Sequence, residues 1–300
     1  MIDRRCFLKT VAAAWALPPM ARSREVPGPG LGFSLYGMKT LPLEEALKTC
    51  AEIGYSHVEL ALNAGYPTEP KVLLGEARKA TSGLLKSLRL GLSALMVNVS
   101  LAADDKTHAD ALQHLSEAGD MAHDLMSDSP PVIETVLGGK PATWEQQKEK
   151  MAERLHDWAS TAAKARILLA IKAHVASAVN SPERLLWLLD KVQSASIVAA
   201  YDYSHFELQG IDMEESMAAL LPRTRFIHVK DSEGVPEKFQ FLLPGQGRTD
   251  YGKYFKLLRK FDYRGPVCVE VSGQIFNRAG YDPVKAARSV YAALSTALRG

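Results

Sequence analysis

Cysteine is scarce in this sequence, and what there is lies scattered. The chain of 300 residues holds 3, at Cys6, Cys50 and Cys268, with no CxxC pair. Neither a thiolate zinc site nor a disulfide framework is expected, so any metal must be held by nitrogen and oxygen. An excess of one charge is also missing: 36 Lys and Arg against 34 Asp and Glu leave a formal charge of +2, which gives no electrostatic footprint for nucleic acid. Long apolar runs are absent as well. The stretch from Val11 to Leu17 is far shorter than the roughly 20 residues of a stable bilayer-spanning helix. No linker, charge block or low-complexity segment divides the chain beyond its first two dozen residues. Finally, no Gly-rich phosphate turn follows the first apolar run, which argues against an open doubly wound sheet. The segment Gly32 to Thr40 imitates a Walker loop only until Met38, which separates Gly37 from Lys39.

What is present begins with an unusual start. Arg4-Arg5-Cys6-Phe7-Leu8-Lys9, then Val11 to Leu17, then Pro18-Pro19, resembles a twin-arginine export signal. Residues 1–24 are therefore expected to be a targeting segment. A periplasmic or otherwise exported protein follows, with the Tat translocase as its partner during export.

From Leu31 onward, short apolar runs alternate with longer amphipathic stretches, the pattern of a parallel sheet covered by helices. Strands are expected at Gly32–Tyr36, Ser56–Ala61, Leu92–Val97, Pro131–Leu137, Ile167–His174, Ile197–Asp202, Arg225–Lys230 and Pro266–Ser272. Helices are expected at Leu43–Ile53, Lys71–Arg89, Thr107–Met126, Thr143–Lys164, Pro182–Val192, Met213–Leu221, Tyr251–Phe261 and Pro283–Leu298. Asp250 stands where an N-cap belongs, and Pro182 and Pro283 where a first helical turn tolerates proline. Eight such pairs are the number that closes a (β/α)8 TIM barrel, and residues 30–300 are read as one α/β domain of that kind.

In such barrels the chemistry sits at the C-terminal ends of the strands. Strand six ends in Tyr201-Asp202, strand seven in His228-Val229-Lys230-Asp231 and strand eight in Val269-Glu270-Val271. Ionisable groups that follow buried strands are costly unless paired or bound to metal. Asp202, His228 and Glu270 come from neighbouring strands and can aim at one centre. Two carboxylates and an imidazole suit Mn²⁺ first, with Zn²⁺, Co²⁺, Fe²⁺ or Mg²⁺ as alternatives. Glu59, Asn98, His174, His205, Lys230 and Arg248, near the same rim, are candidates for contacts with a substrate.

The ordered set Asp202-x-x-His205, His228-Val-Lys-Asp231, Gly245-x-Gly247 with Asp250-Tyr251, and Val269-Glu270-Val271 resembles the sugar phosphate isomerase/epimerase superfamily, the xylose isomerase-like barrels. That resemblance implies a metal held by Glu, Asp, His and Glu from strands five to eight, with Asp202, His228 and Glu270 in the last three places and His205 touching substrate oxygens. The first place departs from the pattern, because Ile171-Lys172-Ala173-His174 puts a lysine where the family has glutamate. Lys172 cannot be a carboxylate ligand. Its expected role is to move a proton, with a pKa lowered by burial and a nearby metal; a structural ion pair is the alternative.

The chemistry so implied is proton abstraction beside a carbonyl, with Lys172 or Glu270 as base and the metal stabilising the enediolate. Reprotonation gives isomerisation or epimerisation. Expulsion of a neighbouring leaving group instead gives a lyase acting on a 3-keto-glycoside. A sugar-binding barrel without turnover is a third reading. An apurinic endonuclease is a poor fit, since strands three and four lack the further histidines it needs. A homo-oligomer is compatible with the sequence, which says nothing more about assembly.

Overall fold

The computed structural model describes residues 29–300, so the twin-arginine-like segment lies outside the described residues. Eight strands close a parallel barrel: β1 (Leu31–Ser34), β2 (His57–Ala61), β3 (Gly91–Met96), β4 (Val132–Val136), β5 (Leu169–Lys172), β6 (Ile197–Tyr201), β7 (Thr224–Val229) and, after an inserted hairpin, β10 (Val267–Val269). The hairpin strands are β8 (Asp231–Val235) and β9 (Lys238–Leu242), paired antiparallel outside the barrel. Around the barrel run α1 (Leu43–Ile53), α2 (Gly75–Ser87), α3 (Asp105–Leu125), α4 (Trp144–Ala165), α5 (Pro182–Val192), the short α6 (Tyr203–Glu207), α7 (Met213–Leu220), α8 (Tyr251–Lys260), the short α9 (Gly273–Phe276) and α10 (Pro283–Arg299). None of the described helices is long and apolar enough to cross a membrane.

The helices start where side chains can satisfy otherwise orphaned N–H groups. Ser181 accepts from the Arg184 amide, Asp250 from Lys253, and Asp282 from Val284 and Lys285. Pro182 and Pro283 follow in the first turn, where their missing N–H is harmless. At the other end of α1, Gly54 turns left-handed at φ 109°, a conformation that a Cβ penalises.

The period of two along a strand sorts residues between two cores. Leu169, Ile171, Tyr201, Ile227, Val267 and Val269 join the large cluster under the helices, with Trp158 and Phe255. The alternate residues Ala94, Ala170, Ala200, Phe226 and Cys268 form a separate cluster inside the barrel. Continuing that inward phase by two residues gives Lys172 after Ala170, Asp202 after Ala200, His228 after Phe226 and Glu270 after Cys268. Apolar packing at the base of the lumen thus fixes the phase in which charged residues emerge at its mouth.

Several boundaries depart from expectation. β1 ends at Ser34 and Leu35–Met38 forms a 3-10 turn, because Ser34 Oγ accepts from the Tyr36 amide and turns the chain away. β5 and β10 are shorter than the apolar runs that contain them. The hairpin and the two short helices were not anticipated; they fill loops read only as connections.

Candidate functional site at the mouth of the barrel

A cavity of about 250 Å³ opens at the C-terminal ends of the strands. Tyr36, Lys172, His174, Lys230, Phe241 and Glu270 line it, and Asn98 and Glu134 stand at its β3–β4 side. Asp202, His205, His228 and Glu59 are buried beside it.

The centre is a compact lattice of opposite charges. Glu270 Oε2 lies 2.7 Å from Lys230 Nζ, 3.1 Å from Lys172 Nζ and 3.2 Å from His228 Nδ1. The Lys230 ammonium also donates to Asp202 Oδ2. Lys172 Nζ lies 3.1 Å from Glu134 Oε1 and donates to His228 Nδ1 at 2.7 Å. When Lys172 is the ammonium it can only donate, so Nδ1 is then the acceptor and the imidazole proton sits on Nε2. There Glu59 Oε2 receives it at 2.9 Å. A carboxylate behind the imidazole orients the ring; against burial, Glu59 and Glu270 hold the His228 pKa well above the ordinary histidine value, with Lys172 opposing them.

Burial opposes charge on Glu270 and on Asp202, but the neighbouring lysines outweigh it and hold both carboxyls well below the usual range. Burial raises the pKa of Glu134, with Lys172 opposing it only in part. For Lys172 the expected direction is reversed. Burial alone would lower its pKa, yet Glu134, Glu270, Asp202 and Glu59 together raise it above the ordinary lysine value. In this lattice the surrounding carboxylates favour the ammonium form of Lys172.

Asp202, His228 and Glu270 each offer one ligand atom, and the three atoms lie within 4.8 Å of one another. Two carboxylate oxygens and one imidazole nitrogen fit a divalent cation, provided that the Lys230 ammonium moves out from between Asp202 and Glu270 and Lys172 gives up His228 Nδ1 and Glu270 Oε2. A second trio, Glu59, His228 and Cys268, is equally close. Burial pushes the Cys268 thiol up to about 12, which leaves it protonated and a poor ligand.

Of the residues expected to touch substrate, Asn98, His174 and Lys230 line the cavity. Glu59 does not: it is fully buried under His228. His205 does not either, being fully buried with Nε2 3.3 Å from Asp202 Oδ2 and its ring tilted against that of His174, centroids 4.2 Å apart. Arg248 points away from the cavity and donates to the Glu207 carbonyl at 3.0 Å. Asp202 has two roles at once, since Oδ1 caps α6 through Ser204 while Oδ2 faces the site.

Three wall residues were missed from the sequence. Glu134 lies inside an apolar run, where a lone acidic residue in an inward phase was its signal. Tyr36 stacks on Tyr66 with ring centroids 5.6 Å apart. Phe241 lies on β9 with its ring 4.8 Å from Lys230 Nζ; the alternation Phe239-Gln240-Phe241 after Gly234-Val235-Pro236 could have disclosed that hairpin.

The profile of the xylose isomerase-like TIM barrel family matches residues 47–294. An inosose dehydratase from Mesomycoplasma hyopneumoniae (strain J) is 24% identical over 280 residues, covering 84% of this chain and 86% of that protein. An L-ribulose 3-epimerase from Methylomonas sp. (strain DH-1) is 27% identical over 231 residues, covering 75% and 77%. Among solved structures, the IOLI protein with a bound zinc atom superposes with TM-score 0.75 at 17% identity, covering 90% of this chain and 98% of that one. The 3-keto-D-glucoside 4-epimerase from E. coli superposes with TM-score 0.70 at 14% identity, covering 89% and 99%. The two curated relatives are enzymes, a dehydratase and an epimerase, and this chain is an enzyme. With a closed barrel, a charged mouth and a profile match along most of its length, the chain belongs to the xylose isomerase-like TIM barrel family.

Proposed function

We propose that this enzyme removes a proton next to the carbonyl of a sugar or keto-sugar and returns it to carbon, as an isomerase or epimerase. The observation that carries the reading is the single cavity in which the ionised Glu270 and the ammonium groups of Lys172 and Lys230 meet. Glu270 is the base. Its carboxylate is 13% exposed, the most accessible of the clustered acids, and a substrate oxygen that draws Lys230 away would raise its basicity. Lys172, an ammonium 3.1 Å from Glu270 Oε2, supplies positive charge to a developing oxyanion. Asn98, His174 and Lys230 hold hydroxyls, while Tyr36 and Phe241 supply ring faces that exclude water.

A divalent cation, when bound by Asp202, His228 and Glu270, supplies positive charge to substrate oxygens. Mn²⁺ is proposed first, and the zinc in the IOLI structure supports Zn²⁺ next, ahead of Co²⁺, Fe²⁺ and Mg²⁺. A second reading is favoured by the dehydratase relatives. If the adjacent carbon carries a leaving group, loss of the same proton ends in elimination, and the enzyme is a lyase on a 3-keto-glycoside. The twin-arginine-like segment supports export, which favours unphosphorylated sugars.

The test is incubation of the enzyme, supplemented with each metal in turn, with keto-sugars in D₂O. Deuterium at the carbon next to the carbonyl is expected, and Glu270→Gln should lower its incorporation by about 10²–10⁴-fold. Turnover with no exchange at that carbon would overturn the proposal. Release of an aglycone would select the lyase.

A further inference from the structure

The reaction cavity has a neighbour. A second hollow, of about 480 Å³, lies against the β2 and β3 loops, and Asn63, Val97 and Asn98 line both spaces. The two are contiguous along that rim. The first cavity alone, at about 250 Å³, is smaller than the roughly 300–1,000 Å³ of pockets that enclose drug-sized molecules. It holds one compact ring beside the charged centre, and the hollow then has room for whatever that ring is attached to.

The chemistry of the hollow selects its occupant. Leu62, Val97 and Val99 give it an apolar floor, and the amides of Asn63 and Asn98 can pair with vicinal hydroxyls. Its charges do not suit an anion. Lys71 is tied to Glu69 at 2.7 Å, Glu69 also accepts from the Gly65 amide at 3.0 Å, and Glu117 adds a further carboxylate. A phosphate would meet two carboxylates and one ammonium that is already paired. A neutral polyhydroxylated ring meets amides, carboxylates and His114, all of which accept or donate to hydroxyls without a net charge requirement.

We infer that the hollow beyond Asn63 and Asn98 is a second subsite for a neutral glycosyl unit, so that the substrate is a keto-glycoside of at least two rings and not a free monosaccharide. This rests on the proposed reaction at Glu270 for its catalytic readout but not for its binding readout.

The experiment compares 3-keto-glucose with the 3-keto forms of an α-linked and a β-linked glucose disaccharide, by solvent-deuterium incorporation and by titration calorimetry. At least one disaccharide should exceed the free sugar about ten-fold in both kcat/KM and affinity. Ala64 is exposed and lines the hollow. Ala64→Trp should therefore fold normally by circular dichroism, fill the space, and erase that preference. Equal kcat/KM and affinity for free sugar and disaccharides, unmoved by Ala64→Trp, would overturn the subsite while leaving the reaction intact. Absence of exchange with every substrate would instead sink the reaction, and the calorimetric preference and its loss in Ala64→Trp would still decide the subsite. Tighter binding of glucose 6-phosphate than of either disaccharide would also overturn it.

Discussion

Lys230 stands where it would compete with a divalent ion for its ligands. Its ammonium contacts both Asp202 and Glu270, the carboxylates that a divalent ion would use. Two cations cannot share that space, because unit charges about 4 Å apart still repel by about 4 kcal/mol at an effective dielectric of 20. Lys230→Met is expected to tighten binding of Zn²⁺ or Mn²⁺ by at least ten-fold in titration calorimetry, and unchanged affinity would show that the lysine moves aside freely. His205 makes a separate prediction. Burial, with Lys230 adding to it, depresses its pKa from 6.5 to about 4. A base depressed on folding contributes stability above its unfolded pKa, and loses it as pH falls toward the folded value. In protein freed of metal by chelator, stability to urea should therefore fall by a few kcal/mol between about pH 6.5 and about pH 4. His205→Asn should flatten that part of the profile; an identical slope would assign the loss to other groups.

On the scale of elements, the loop after β9 depends on one buried acid. Asp231 Oδ2 accepts from the amides of Gly245 and Gly247 at 2.9 and 2.7 Å, and Oδ1 from the Tyr251 hydroxyl at 2.9 Å. This links the hairpin to the start of α8 and holds Phe241 over the cavity. A Cβ on Gly247 would lie 2.7 Å from that of Asp231. Gly247→Ala is expected to destabilise by about 1–3 kcal/mol through overpacking, measured by denaturant unfolding, and to raise KM more than it lowers kcat. The glycines and Asp231 were visible in the sequence as a motif, but their hydrogen bonds were not. Nothing along the chain says that residues fourteen and sixteen positions apart bend back onto one carboxylate.

For the molecule as a whole, the packed base of the lumen and the charged mouth above it are two parts of one design. Phe226 fills the space left by Ala94, Ala170 and Ala200, and it fixes the inward phase that His228 and Lys230 continue. Phe226→Ala should cost about 3–5 kcal/mol by thermal or urea unfolding and should disturb the site through His228, whose ring packs edge-on against Phe226 with centroids 4.7 Å apart. Full activity at reduced stability would show that the mouth is positioned without its base.

The sequence by itself determined the barrel and the three strand-end residues, because strand periodicity, helix caps and proline placement are local and repeat eight times around the fold. It also revealed the substitution of Lys172 for an acid. Only the tertiary structure decided that lysine's charged surroundings, since Glu134 and Glu270 arrive from other strands, and Coulomb interactions follow distance in space and not along the chain. The same holds for Glu59 and His205: a strand-end position and a family resemblance suggested substrate contacts, and closure of the barrel buried both side chains completely.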